Sequence, residues 1–142
     1  MQHEGFTLID LIIQQQYTPA TGEGQSGHGG VRSCIMDNTD IVCVGYVQYS
    51  TTGFVFVADE AKPVVWRLDS NGNVLSETLV TVEGMGQLAK IRKDSSSGFI
   101  ACSTAWGALG GTDVNVVALV KFSDSLSKEW SQVKRTKDVK IL

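Results

Sequence analysis

Apolar and polar positions along this chain change over in short runs of five to ten residues, most of them closed by glycine, asparagine, aspartate or serine. That is the signature of strands joined by turns rather than of helices. Phe6–Tyr17 is the first apolar segment. Leu8, Ile9, Ile12 and Ile13 also fit helical spacing, but the β-branched residues and the bracketing Gly5 and Pro19 favour a strand. Thr18–Gly30 is polar and glycine-rich, and it predicts a flexible loop. Val31–Asp37 and Asp40–Tyr49 predict a hairpin about Asn38-Thr39. After Thr51-Thr52-Gly53, Phe54–Ala58 is either a strand of its own or part of a long hairpin arm, and Asp59–Lys62 breaks the pattern. Pro63–Leu68 and Val74–Val82 flank Asn71-Gly72, which predicts a type I′ turn because Asn and Gly both accept positive φ. Glu83-Gly84-Met85-Gly86 turns the chain again. Four further strands follow: Leu88–Lys93, Phe99–Ala105, Asp113–Phe122 and Glu129–Lys134. Their connections are Asp94–Gly98, the glycine-rich Trp106–Thr112, and Ser123–Ser127.

Composition agrees with this pattern. Seventeen Val and eight Ile stand against ten Leu, and branching at Cβ suits a pleated surface better than a helix. At 142 residues the chain is one domain with enough length to bury a core. Apolar residues make up 42% and charged residues 19%, which excludes an intrinsically disordered chain. The net charge of −3 argues against a general nucleic-acid binder. No apolar run approaches the ~18 residues of a membrane span. Met1–Gly5 lacks the basic start of a signal peptide, so, if Met1 is the natural start, the expectation is a cytoplasmic protein.

The two halves resemble each other. Val31–Asp37 lies on Leu88–Asp94, Ile41–Tyr46 on Phe99–Thr104, and Val65–Asp69 on Leu119–Ser123, with offsets of 54 to 58 residues. Such a period belongs to propellers and other arrays, and about four strands per unit make one propeller blade. At these residues the chain resembles β-propeller blade repeats of the PQQ and kelch class. Val64-Val-Trp-Arg-Leu-Asp-Ser-Asn-Gly-Asn-Val-Leu75 is similar to their inner hairpin, and Val120-Lys-Phe-Ser-Asp124 with Trp130 is a looser copy. Gly98-Phe-Ile-Ala-Cys-Ser103 is similar to the strand that precedes it. The likeness spans about residues 31 to 135. The kelch double glycine and the Trp-Asp dipeptide are missing, and Ser76 stands where Trp130 does. The resemblance implies an architecture and carries over no catalytic residue.

The expected fold is therefore all-β, with propeller-like antiparallel four-stranded blades: two repeats plus an extra N-terminal strand, with a β-sandwich as the alternative. Residues 1–30 hold the N-terminal strand and glycine-rich loop, 31–87 the first repeat, 88–135 the second, and 136–142 a tail. Closed propellers need about 4 to 8 blades. Two blades alone would leave apolar faces and open edges. The preferred solution is a homo-oligomeric ring. A longer propeller of which this is a piece, or a sandwich of the two units, would also cover those faces.

Candidate chemistry is sparse. The hairpin register sets Cys34 opposite Cys43, near disulfide distance, and the preferred reading is two buried, reduced thiols, with a zinc site disfavoured by spacing. Gly22-Glu-Gly-Gln-Ser-Gly27 matches GxGxxG literally but precedes a strand, not the helix a dinucleotide site requires, and no cofactor is expected. Asp69-Ser-Asn-Gly-Asn73 has the oxygens of a calcium loop without its glycine and acid positions, and reads as a hairpin turn. Ser26 and His28 lie in a glycine loop that cannot fix a nucleophile against a base. Trp66 and Trp130 are expected in the core or between blades. Trp106, on a loop with Gly107, Gly110 and Gly111, either stacks on a sugar or protein ligand or folds back on the sheet. Lys134–Lys140 is a basic tail, read as solvated. The expected function is non-catalytic binding or scaffolding through an oligomeric β surface, with a protein or carbohydrate ligand and neither nucleic acid nor membrane. The competing class is an enzyme or a small-molecule- or carbohydrate-binding subunit whose site forms between chains, where Asp59, Glu60 and Asp113 would converge from different copies; Trp106 is the remaining ligand-binding candidate.

Overall fold

Among the described residues, turn residues and β-branched runs mark out eight strands in two four-stranded antiparallel sheets. The structure, a computed structural model, describes residues 27–49, 61–104 and 116–135. The first sheet holds β1 (Gly27–Asp37), β2 (Asp40–Tyr49), β3 (Ala61–Leu68) and β4 (Val74–Leu79), each paired with the next. The second holds β5 (Lys90–Lys93), β6 (Phe99–Thr104), β7 (Val116–Phe122) and β8 (Lys128–Arg135) in the same consecutive order. The protein is all-β.

The sheets meet face to face. Val42, Val44 and Val65 of the first sheet pack against Ile91, Phe99, Ala101, Ala118, Val120 and Phe122 of the second. Val80, Met85 and Leu88 close the seam from the connection between sheets. Phe99, Phe122, Leu88 and Ile91 are fully buried there, and each such side chain contributes roughly 1.5–3 kcal/mol by leaving water. The opposite face of the first sheet has its own buried cluster of Cys43, Val47, Val64, Trp66 and Leu68.

The two sheets are built with matching hydrogen bonds. Asp69 N donates to Asn73 O and Gly72 N to Asp69 O; 54 residues later, Ser123 N donates to Ser127 O and Leu126 N to Ser123 O. The β3–β4 ladder shifts register at Arg67/Leu68, and the β7–β8 ladder shifts at Lys121/Phe122. Asp37 and Asp94 close the β1 and β5 ends. Among the described turns, the first hairpins differ in length: Asp37 pairs with Asp40 across two residues, whereas Asp94 N reaches Gly98 O across three.

Three expectations need correction. The polar segment ending at Gly30 is not all loop, because Gly27–Gly30 extend β1 by pairing with Tyr46–Tyr49. Gly45 makes room for this: a Cβ on it would sit 1.8 Å from Gly30 O. The Asn71-Gly72 turn is not type I′. Gly72 has φ of 84° while Asn71 is not left-handed, and the bonds above enclose three residues, as in a type I turn followed by a left-handed bulge residue. β4 ends at Leu79, short of the expected Val82: Val80 N still donates to Pro63 O, but its side chain plugs the core. The expected strands Phe6–Tyr17 and Phe54–Ala58 lie outside the described residues.

Candidate interaction surface

Cross-strand register decides which side chains share a face. On the outer face of the second sheet, away from the seam, three rows run across the strands. The first is Arg92, Ile100, Lys121 and Trp130; the second Lys90, Cys102, Leu119 and Gln132; the third Thr104, Val117 and Lys134. Ile100, Cys102, Val117 and Leu119 are half-buried along its middle. Lys90, Arg92 and Lys134 are exposed at its margins, and Trp130 is 40% exposed. No Asp or Glu stands in these rows. The face is an apolar strip flanked by cations, with one indole available to solvent.

The corresponding row of the first sheet is turned the other way. Ser33, Val44, Val65 and Thr78 occupy the places of Lys90, Cys102, Leu119 and Gln132, counted from the shared turns and register shifts, and they face the seam. Val44 and Val65 are completely buried. Thus the two sheets stack in the same sense, the inner face of the first corresponding to the outer face of the second.

A polar clasp locks the sheets at one end. Arg67 Nη1 lies 2.9 Å from Asp37 Oδ2 and 3.3 Å from Asp40 Oδ2. Its Nη2 donates to Asp124 O of the second sheet at 2.8 Å. Lys93 Nζ, also of the second sheet, is 2.5 Å from Asp37 Oδ1. Within the second sheet the buried Lys121 takes the place of Arg67 and donates to Asp94 Oδ2 and Ser97 O. Hydrogen bonds from Lys93 and Arg67 hold the Asp37 carboxyl below its usual range, and Lys121, helped by Ser96, lowers Asp94 to about 2. Asp69 is lowered as well, by Asn73 and the backbone of its turn. These carboxylates are far from the near-neutral values that acid–base chemistry requires, so the clasp positions sheets rather than protons.

Cys34 and Cys43, opposed as the register predicts, form a disulfide with Cα atoms 4.1 Å apart. The expectation of two buried, reduced thiols is thereby corrected: Cys34 is exposed, Cys43 is buried, and the sulfurs are joined. Close cross-strand Cα atoms bring the sulfurs within bonding reach. Cys102 is the free cysteine, half-buried on the outer face of the second sheet.

The remaining expected site residues do not come together in the described part of the molecule. Asp59, Glu60, Trp106 and Asp113 all lie outside it, as does Ser26 and the basic tail beyond Arg135. Trp66 is buried, with Nε1 donating to Glu77 Oε2 at 2.8 Å. Trp130 is exposed rather than part of the core. The Asp69 carboxylate accepts from Asn71 N, Asn73 N and Asn73 Nδ2, so its oxygens serve the turn. Among the described residues no group of three His, Cys, Asp or Glu is placed to hold a metal ion, and no helix is long and apolar enough to cross a membrane. The clasp escaped sequence reading, although acids bracketing a two-residue turn, Asp37 and Asp40, offered a signal. No known family matches the chain, and no curated protein matches it.

Proposed function

We propose that this chain is a propeller-type repeat module acting as a non-catalytic binding or scaffolding unit, completed by self-association. The single observation carrying this reading is the like-sense stacking of the sheets. Leu119, Cys102 and Ile100 are half-buried at positions whose first-sheet counterparts, Val65, Val44 and Val42, are fully buried by a neighbouring sheet. An outward face of that kind accepts one more sheet, and a second copy of the chain supplies one. The matched turns at Asp69–Asn73 and Ser123–Ser127 support reading the halves as one repeated blade. Depressed carboxylates and the scarcity of histidine support a surface role over catalysis.

Size-exclusion chromatography with light scattering tests the reading. The expected mass is a multiple of 15.3 kDa, reduced to one chain by Leu119→Glu with the β-sheet dichroism retained. A wild-type chain that stays monomeric at high micromolar concentration overturns it.

A further inference from the structure

We infer that the Cys34–Cys43 bond is a reversible thiol–disulfide exchange site, entered at Cys34 by an external dithiol or a small thiol of the glutathione class. Three observations on the single chain lead there.

The two cysteines differ in exposure. Cys34 stands exposed on β1, an edge strand, whereas Cys43 is 3% exposed and packed with Val47, Val64, Trp66 and Leu68. Exchange requires a thiolate to approach one sulfur and expel the other, so access selects Cys34 as the point of attack. Exposed disulfides are the labile and regulatory ones, in contrast to those sealed within secreted folds.

The hairpin does not need the bond. Backbone pairing runs from Gly27↔Tyr49 to Asp37↔Asp40 on both sides of it. In the second sheet the matching pair is Ile91 and Ala101, and that hairpin closes with no covalent link. A link the architecture can omit is free to open and close without unfolding the sheet.

The electron balance is simple. The attacking thiolate bonds to Cys34 Sγ as the Sγ–Sγ bond breaks, and Cys43 leaves as a thiolate that takes up a proton. The second thiol of the dithiol then attacks the mixed disulfide and releases Cys34. Two electrons pass from the dithiol, which becomes a disulfide, to the two cysteines, which become thiols. A monothiol stops at the adduct on Cys34 until a second equivalent arrives.

Trp66 pairs directly with Cys43 across the β2–β3 ladder, so its indole reports the bond: a neighbouring disulfide quenches emission that a thiol restores. The experiment titrates folded Cys102→Ser protein with dithiothreitol, counting alkylated thiols by mass spectrometry alongside fluorescence and far-ultraviolet dichroism. The expected result is no free thiol before reduction and two after it, with dichroism unchanged and indole emission raised, the rise absent in Trp66→Phe. With glutathione disulfide, Cys43→Ala in the same background takes up one glutathione at Cys34, while Cys34→Ala takes up at least tenfold less at Cys43. Thiols already free in air-oxidised protein, a bond that opens only when the dichroism collapses, or preferential adduct formation at Cys43 each overturns the inference.

Discussion

Lys93 Nζ sits 2.5 Å from Asp37 Oδ1 and thereby ties the second sheet to the first, while the other oxygen of the same carboxylate accepts from Arg67. Asp37 is 12% exposed at its side chain, so these bonds are shielded from solvent to a useful degree. Asp37→Asn is expected to cost about 1–3 kcal/mol, since hydrogen bonds to charged groups are lost and Arg67 keeps only part of its set. Thermal or urea unfolding at pH 7 measures this, and an unchanged midpoint would show the clasp to be ornamental.

Acid should find the same groups. Asp37 and Asp94 have folded-state pKa values below their unfolded ones, Asp94 at about 2. A depressed carboxylate contributes stability that is complete above its unfolded value near 3.8 and is lost as pH falls through the folded value. The melting temperature is therefore expected to hold from neutrality to about pH 5 and to drop between pH 4 and 2. Asp37→Asn and Asp94→Asn should each flatten that limb, and a limb unchanged in both variants contradicts the assignment.

Gly45 has no room for a side chain, because the β1 backbone crosses it where Gly30 O would meet a Cβ at 1.8 Å. The obstruction is main chain, so no rotamer relieves it. Gly45→Ala must push β1 away from β2, with an expected loss of roughly 1–3 kcal/mol. Cysteine accessibility in the variant locates the damage: Cys34 and Cys43 should become easier to reduce than in wild type.

Ser103 Oγ is buried and finds no hydrogen-bond partner among the described residues. An unmade bond of this kind costs about 1–3 kcal/mol. Ser103→Ala removes the hydroxyl at little loss of packing, and it is expected to leave stability unchanged or raise it by up to about 1 kcal/mol. A clear loss in chemical denaturation would mean the hydroxyl has a partner in the folded protein.

Much of this architecture was legible because turns and alternation are local. Asp40–Tyr49 matches β2 end to end, and the Asn38-Thr39 turn places Cys34 against Cys43 as register arithmetic requires. What failed was non-local. Nothing in Gly27–Gly30 signals a strand by itself; it pairs because Gly45 lets β1 pass closely. Register alone set Cys34 opposite Cys43 without fixing how closely the two strands approach, and the Cα atoms come to 4.1 Å. Lys93 and Arg67 were invisible as a pair because their meeting depends on how two sheets stack. The residues chosen for a binding site, Asp59, Glu60, Trp106 and Asp113, were picked for lying on or at the edge of connections, and all four fall outside the described residues.

Leu126 carries the last prediction. Its φ is 66°, the conformation that the matching turn in the first sheet assigns to Gly72 at 84°. A leucine there bears a steric penalty of about 1–2 kcal/mol. It is tolerated because the side chain is 1% exposed and packs into the seam with Phe122 and Val120, where burial contributes roughly 1.5–3 kcal/mol. The two terms separate by substitution. Leu126→Ala loses the burial and keeps the penalty, so about 2–5 kcal/mol should be lost. Leu126→Gly loses the same packing but releases the backbone, and it should be the more stable of the two by about 1 kcal/mol. That order inverts the usual preference for alanine over glycine. Urea denaturation of both variants decides it: alanine equal to or better than glycine would show that the turn is not held left-handed at Leu126.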